Sequence, residues 1–160
     1  MLGKPCPECG FDSRSFARED VGAMIRANAA AWRELLLTRR DVRERPRSDV
    51  WSPLEYGCHV RDVFRVFAVR LDMMLTLDDP LYENWDQDAT AVAERYAERD
   101  PVVVAGELGE AAGKLADGFD AIDGDRWERT GNRTDGARFT AESFARYLIH
   151  DPVHHLHDAG

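Results

Sequence analysis

Four of the five histidines lie close together near the end of the chain, and they are the residues best suited to metal chemistry. His150 and His154 are four positions apart, so on a helix their Cβ atoms would lie about 5–6 Å from each other on one face. Imidazole is the commonest protein ligand for zinc, nickel and copper. A pair on one helix holds an ion only in part. The spacing therefore predicts half of a transition-metal site that needs a donor from elsewhere.

The fifth histidine, His59, is the natural third donor because it lies at the margin of an apolar stripe far upstream. Three protein ligands leave a coordination position open, as in catalytic rather than structural zinc sites. Asp62 and Asp151 are the expected hydrogen-bond partners of the free ring nitrogens. The alternative is a buried core histidine together with a solvated histidine-rich tail.

A second candidate site begins at Cys6 and Cys9, whose CxxC spacing suits one half of a tetrahedral zinc site. Three interpretations remain open. The pair binds a second zinc ion with residues such as His155 and His157, or it is redox-active, or it lies in an unbound tail. Cys58 is expected to pack as a small apolar side chain.

Four segments repeat apolar residues every three to four positions, which predicts four amphipathic helices. Capping signals support the starts: Ser52-Pro53 followed by Glu55, then Asp100-Pro101, and finally Thr140. The predicted helices span residues 15–38, 53–77, 101–122 and 140–158. The fold is therefore expected to be an all-α four-helix bundle with very little strand.

The connections between these helices carry weaker signals. Residues 84–99 read as a short helix or a crossover between the second and third long helices, and residues 126–138 as a loop or a short hairpin. Pro152 should kink the last helix or begin a new one. We expect residues 1–14 to form a CxxC tail and residues 15–160 to form one domain.

Composition excludes several function classes. The net charge of −9 and the pI near 5.0 argue against a nucleic-acid partner, because phosphates would be repelled. No apolar run approaches the roughly 20 residues that span a bilayer, and the first residues lack the apolar core of a secretion signal. Three cysteines do not form a disulfide framework. The expectation is a cytoplasmic protein with reduced thiols.

Two stretches, WSPLEYGCHVRDV at 51–63 and YLIHDPVHHLHD at 147–158, make the chain resemble the DinB-like superfamily. That superfamily includes the mycothiol-dependent maleylpyruvate isomerase type and the bacillithiol-transferase type. The resemblance implies a four-helix bundle, commonly a homodimer, with a metal ligated at His59, His150 and His154. It also implies chemistry in which a low-molecular-weight thiol such as mycothiol is a co-substrate or cofactor.

The leading functional prediction is a metal-dependent transferase or isomerase that uses such a thiol on a small electrophilic substrate. Zinc is the first choice of ion, since thiolate is one of its favoured ligands, and nickel is the second. Arg61 or Arg146 is the candidate for holding a substrate carboxylate. The alternatives are a metal-assisted hydrolase, with Asp62 or Asp151 as base, and a non-catalytic metal-binding or stress-response module.

Overall fold

The second long helix begins where the capping residues place it. In the computed structural model, which describes residues 3–160, the hydroxyl of Ser52 accepts a hydrogen bond from the amide of Glu55, and the Glu55 carboxylate accepts one from the amide of Ser52. This capping box satisfies two amides that the helix itself leaves unpaired. Pro53 fits the first helical turn because its missing N–H has no partner there. The resulting helix, α2, spans Pro53–Thr76.

Four further α-helices and a small sheet form the rest of the regular structure in residues 3–160, apart from three short 3-10 helices. The remaining helices are α1 (Val21–Thr38), α3 (Gln87–Ala93), α4 (Pro101–Asp120) and α5 (Ala141–Ala159). The strands are β1 (Leu81–Tyr82), β2 (Thr130–Arg133) and β3 (Arg138–Thr140). Strand β2 pairs in parallel with β1 and antiparallel with β3, with Gly131 opposite Phe139.

The four long helices form the bundle. Helix α4 packs mainly against α1 and α2, and α5 packs against α2 and α1. The consecutive helices α1 and α2 therefore lie on one diagonal of the bundle. Large apolar side chains fill the centre, among them Trp32, Phe64, Leu108, Phe119 and Phe144. No helix in residues 3–160 is both long and apolar enough to cross a membrane.

The predicted four-helix bundle is confirmed, with differences at its edges. Helix α1 begins at Val21 rather than residue 15, because the preceding residues form turns and a 3-10 helix, Arg18–Asp20. Residues 126–138 include the short hairpin of β2 and β3. Helix α5 continues through Pro152, which supplies no N–H for the carbonyl of Leu148. The crossover between the second and third long helices stays a prediction.

Candidate metal centre

Helix α5 carries two potential ligand pairs in neighbouring rows. His150 and His154 form one pair with i, i+4 spacing, and Asp151 and His155 form the other. Successive residues on a helix are rotated by about 100°, so the two rows face different neighbours. The Asp151 row faces α2, and the His150 row faces the N-terminal segment.

The first cluster consists of His59, Asp151 and His155. Nε2 of His59 lies 2.9 Å from Oδ2 of Asp151, and Nε2 of His155 lies 3.2 Å from Oδ1 of the same carboxylate. His59 is completely buried, whereas the Asp151 side chain is 39% exposed. The cluster thus lies at the edge of the bundle core, with one side reachable from outside.

These spacings fit a metal ion. Nitrogen and oxygen ligands about 2.0–2.2 Å from one ion lie about 3–3.5 Å from each other. The three donor atoms lie within 4.8 Å of one another, and the two measured separations are close to that range. Two imidazoles and a carboxylate are also the ligand set of several catalytic zinc sites. The residues present therefore fit a divalent transition ion.

Aromatic packing and contacts with two carboxylates orient the two imidazoles. The Trp85 ring stacks on His59 with centroids 5.5 Å apart, and Trp51 lies 5.4 Å away. Nδ1 of His59 is buried without a hydrogen-bond partner in the described part of the chain, so the aromatic contacts and the Asp151 carboxylate hold this ring. Nδ1 of His155, in contrast, lies 3.2 Å from the Asp158 carboxylate. That contact leaves its Nε2 directed at the cluster.

Charge interactions favour the ionised carboxylate at the centre. Burial would raise the pKa of Asp151, but hydrogen bonds with His155 and His59 outweigh it and hold that pKa well below its ordinary value. Burial would likewise lower the pKa of His155, but its contacts with Asp151 and Asp158 raise it overall. Asp151 is therefore an anion at neutral pH, as a metal ligand must be.

The second cluster joins Cys6 and Cys9 to His150 and His154. Sγ of Cys6 lies 3.7 Å from Nδ1 of His154, and Sγ of Cys9 lies 3.6 Å from Nε2 of His150. Amides of Cys9 and Glu8 donate hydrogen bonds that lower the pKa of the Cys6 thiol to about 6. All four ligand atoms lie within 4.8 Å of one another.

A pocket of about 420 Å³ opens beside both clusters. Asp151 belongs to the first cluster and to the pocket wall, and Trp85 joins the wall to His59. The wall is rich in arginine and aromatic side chains: Phe11, Phe67, Arg70, Trp85, Arg133, Arg146 and Tyr147. Such a wall suits a small anionic molecule with an apolar part.

Arg70 is the least neutralised cation of this wall. Its side chain is buried, donates to the carbonyl of Glu83 and lies over the rings of Phe67 and Tyr82. Within residues 3–160 it has no carboxylate at ion-pair distance, and burial lowers its pKa. Arg133, by comparison, makes two hydrogen bonds to Asp135. A buried guanidinium without a counter-ion attracts an anion into the pocket.

The structure groups the predicted ligands differently from the sequence interpretation. His59 lies with Asp151 and His155, whereas His150 and His154 lie with the two cysteines. The three predicted histidines do not form one group among the residues described, because His150 and His154 occupy the row of α5 that turns away from α2. Asp151, expected to orient the His150 pair, instead lies between His59 and His155.

The supporting residues also differ. Asp62, expected to accept from His59, accepts from Tyr96 and Arg61 instead. Of the expected partners of the cysteines, His155 belongs to the first cluster. His157 is exposed because it lies on a further face of α5.

Neither arginine chosen from the sequence is free for a substrate. Arg61 pairs with Asp62 and Glu107 away from the pocket. Arg146 lines the pocket but is bonded to two carbonyls and Glu142. Arg70 was missed, although a charged residue three positions after Phe67 and four before Met74 stands out on the apolar stripe of α2.

Comparisons with known proteins agree with this fold. A family model described as the DinB superfamily matches residues 12–159. YfiT from Bacillus subtilis, described as "a probable metal-dependent hydrolase with an unusual four-helix bundle topology", is similar in structure with a TM-score of 0.79. The two are 15% identical, and the similarity covers 91% of this chain and 89% of that one. The search of curated proteins finds no match.

Proposed function

The chain belongs to the DinB superfamily, and from this premise we propose that it is a metal-dependent enzyme whose ion is held by His59, Asp151 and His155. The observation that carries the proposal is the approach of these three donors at the edge of an arginine-lined pocket. A divalent ion bound there, zinc before nickel, would supply Lewis acidity that lowers the pKa of a coordinated thiol.

The substrate we propose is a small electrophile that carries a negative charge. Arg70 supports this assignment, since it is a buried cation that no carboxylate in residues 3–160 pairs with. Phe67, Trp85 and Tyr147 offer apolar surface to the rest of the molecule. The net charge of −9 would otherwise repel an anion, so a local cation is needed.

A low-molecular-weight thiol of the mycothiol kind is the proposed co-substrate. A carboxylate base would assist the attack of water in hydrolysis, and only Asp135 and Asp151 are carboxylates among the pocket residues described. Asp135 is bonded to Arg133, and Asp151 lies between two imidazoles. A thiol requires no such base once its pKa is lowered. The positive charge of Arg70 would also favour a thiolate nearby.

Hydrolysis is the second candidate. It is favoured by the donor set, since two imidazoles with one carboxylate hold zinc in known hydrolytic enzymes. The structural similarity to YfiT, itself described as a probable metal-dependent hydrolase, points the same way.

The test is consumption of thiol by zinc-loaded, untagged protein. Mycothiol, bacillithiol and glutathione are each offered with monochlorobimane and with anionic electrophiles. We expect turnover with one thiol that is lost on chelation and in Asp151→Asn, and retained in the exposed control His157→Ala. Hydrolysis of ester or amide substrates without thiol consumption would favour the second candidate. Tight metal binding without either activity would favour a non-catalytic module.

A further inference from the structure

The N-terminal segment and α5 bring two cysteines and two histidines to one point. Cys6 and Cys9 lie on a turn whose Gly10 has a φ of +77°, and the amide of Gly10 donates to the carbonyl of Cys6. His150 and His154 come from the facing row of α5. Each cysteine is 141 or 148 residues away in sequence from the histidine that it faces, and the two pairs meet without any shared secondary structure. Their convergence calls for a cause beyond apolar packing.

Their spacing is that of tetrahedral zinc ligands. With Zn–S distances of about 2.3 Å and Zn–N distances of about 2.0 Å, sulfur and nitrogen ligands lie about 3.6 Å apart. The two measured separations are 3.6 Å and 3.7 Å. We propose that Cys6, Cys9, His150 and His154 bind a structural zinc ion, distinct from the ion assigned to His59, Asp151 and His155.

The surroundings of the four side chains support this assignment. Nε2 of His154 lies 3.1 Å from the Glu8 carboxylate and 3.4 Å from that of Asp158, so Nδ1 is left to face the sulfur of Cys6. A carboxylate on the outer nitrogen is the usual support of a zinc-ligating imidazole. Phe11 stacks on His150 with centroids 5.2 Å apart and an interplanar angle of 6°.

Backbone hydrogen bonds hold the turn that carries the two sulfurs. The amide of Cys6 donates to the carbonyl of Phe11, and the amide of Gly10 donates to the carbonyl of Cys6. The three cysteines are free thiols in the structure. A redox role for Cys6 and Cys9 would leave the two converging histidines unexplained.

Four protein ligands make this a closed site without a position for substrate, which is the mark of a structural ion. This ion would also help to position the ligands of the other cluster. His150 and His154 flank Asp151 and His155 on the same turns of α5, so an ion that anchors one row also fixes the rotation of the other. The zinc would further attach residues 6–11 to α5 beside the pocket that Phe11 helps to line.

Metal content and cobalt spectroscopy test the proposal. Zinc is measured in untagged full-length protein, and the ion is then replaced by Co²⁺, whose thiolate complexes show sulfur-to-cobalt charge-transfer absorption. We expect two zinc ions per chain and strong charge-transfer absorption. The Cys6→Ser/Cys9→Ser variant should hold one zinc and lack the absorption. Cys58→Ser is the matched control and should retain both ions and the absorption.

The Asp151→Asn variant separates the two ions. It should lose the ion proposed at His59 and keep the charge-transfer absorption, and the absorption should persist even if the site at His59 binds no metal. The spectrum of cobalt-loaded wild type does not depend on the folding of any variant, so it tests thiolate ligation of the ion by itself. Cobalt-loaded wild type without thiolate absorption would overturn the proposal, as would a Cys6–Cys9 disulfide in freshly isolated protein.

Discussion

At the residue scale, the chemistry depends on which face of α5 each acidic or imidazole side chain occupies. Asp151 provides the sharpest test, because Asn has the same shape but lacks the charge. We expect Asp151→Asn to weaken zinc binding at His59 by at least about 100-fold. Substitution of residues that only orient a ligand already lowers metal affinity by about 10–100-fold. Competition with a chromogenic chelator measures the affinity. Equal affinity in variant and wild type would exclude Asp151 as a ligand.

Arg70 gives a second prediction at this scale. Iodoacetate and iodoacetamide are electrophiles of similar size, and only the first is an anion. In thiol-transfer assays, Arg70→Met should lower kcat/KM for iodoacetate about tenfold or more relative to iodoacetamide, because hydrogen bonds to charged groups contribute about 1.5–3 kcal/mol. The exposed Arg65, outside this pocket, is the control. An equal loss for both electrophiles would mean that Arg70 does not recognise the charge.

The sequence of α5 also indicates which of its side chains face the bundle, and ligand spacing alone does not use that information. His150/His154 and Asp151/His155 have identical i, i+4 spacing, so spacing cannot choose between them. The position of each pair relative to the buried face of the helix distinguishes them. The buried row of Ala141, Phe144 and Leu148 continues at helical intervals through Asp151 and His155 to Ala159. The meeting of residues 6 and 9 with α5, by contrast, is a tertiary contact that no local pattern encodes.

At the element scale, the start of α2 is stabilised by its capping box and by the ion pair of Glu55 with Arg45. Burial would raise the pKa of Glu55, but hydrogen bonds from Arg45 and Ser52 lower it overall. The charged form is therefore favoured by folding, so its contribution is present above the ordinary pKa near 4.3 and disappears as pH falls through the lowered value.

We expect Glu55→Gln to reduce the free energy of unfolding by about 1 kcal/mol or more at pH 7, and by progressively less as the pH falls below about 4. Urea unfolding of variant and wild type, at pH 7 and again below about pH 4, measures this difference in free energy of unfolding. Glu110→Gln, an exposed change on α4, is the control and should be neutral at both. A cost that does not depend on pH would mean that the charge of Glu55 contributes nothing.

Local signals predicted the long helices well and the connections less well. The capping residues at Ser52, Asp100 and Thr140 mark the observed starts of α2, α4 and α5. The start of α1 lacked such a signal, and its predicted bound was six residues early. The diagonal arrangement of α1 and α2 follows from which apolar faces pack together, which the pattern of a single helix does not specify.

At the scale of the whole molecule, the two proposed ions join three parts of the chain: α2, α5 and the N-terminal segment. Removing zinc should release residues 6–11 from α5. Limited trypsin digestion should then cleave after Arg14 faster in the presence of a chelator, by about tenfold or more, because local opening controls such cleavage. The Cys6→Ser/Cys9→Ser variant should be cleaved quickly with or without chelator. Cleavage of wild type that chelation does not change would contradict this anchoring.

The homodimer implied by the family resemblance stays a prediction, which sedimentation velocity can test on zinc-loaded protein. The ligand sets do not depend on it, because every proposed donor comes from one chain.

An anomalous diffraction map recorded at the zinc absorption edge from crystals of the zinc-loaded protein tests both proposed metal sites most directly. We predict two peaks per chain. One should lie among His59, Asp151 and His155, and the other among Cys6, Cys9, His150 and His154. A single peak ligated by His59, His150 and His154, or no peak beside His59, would contradict it.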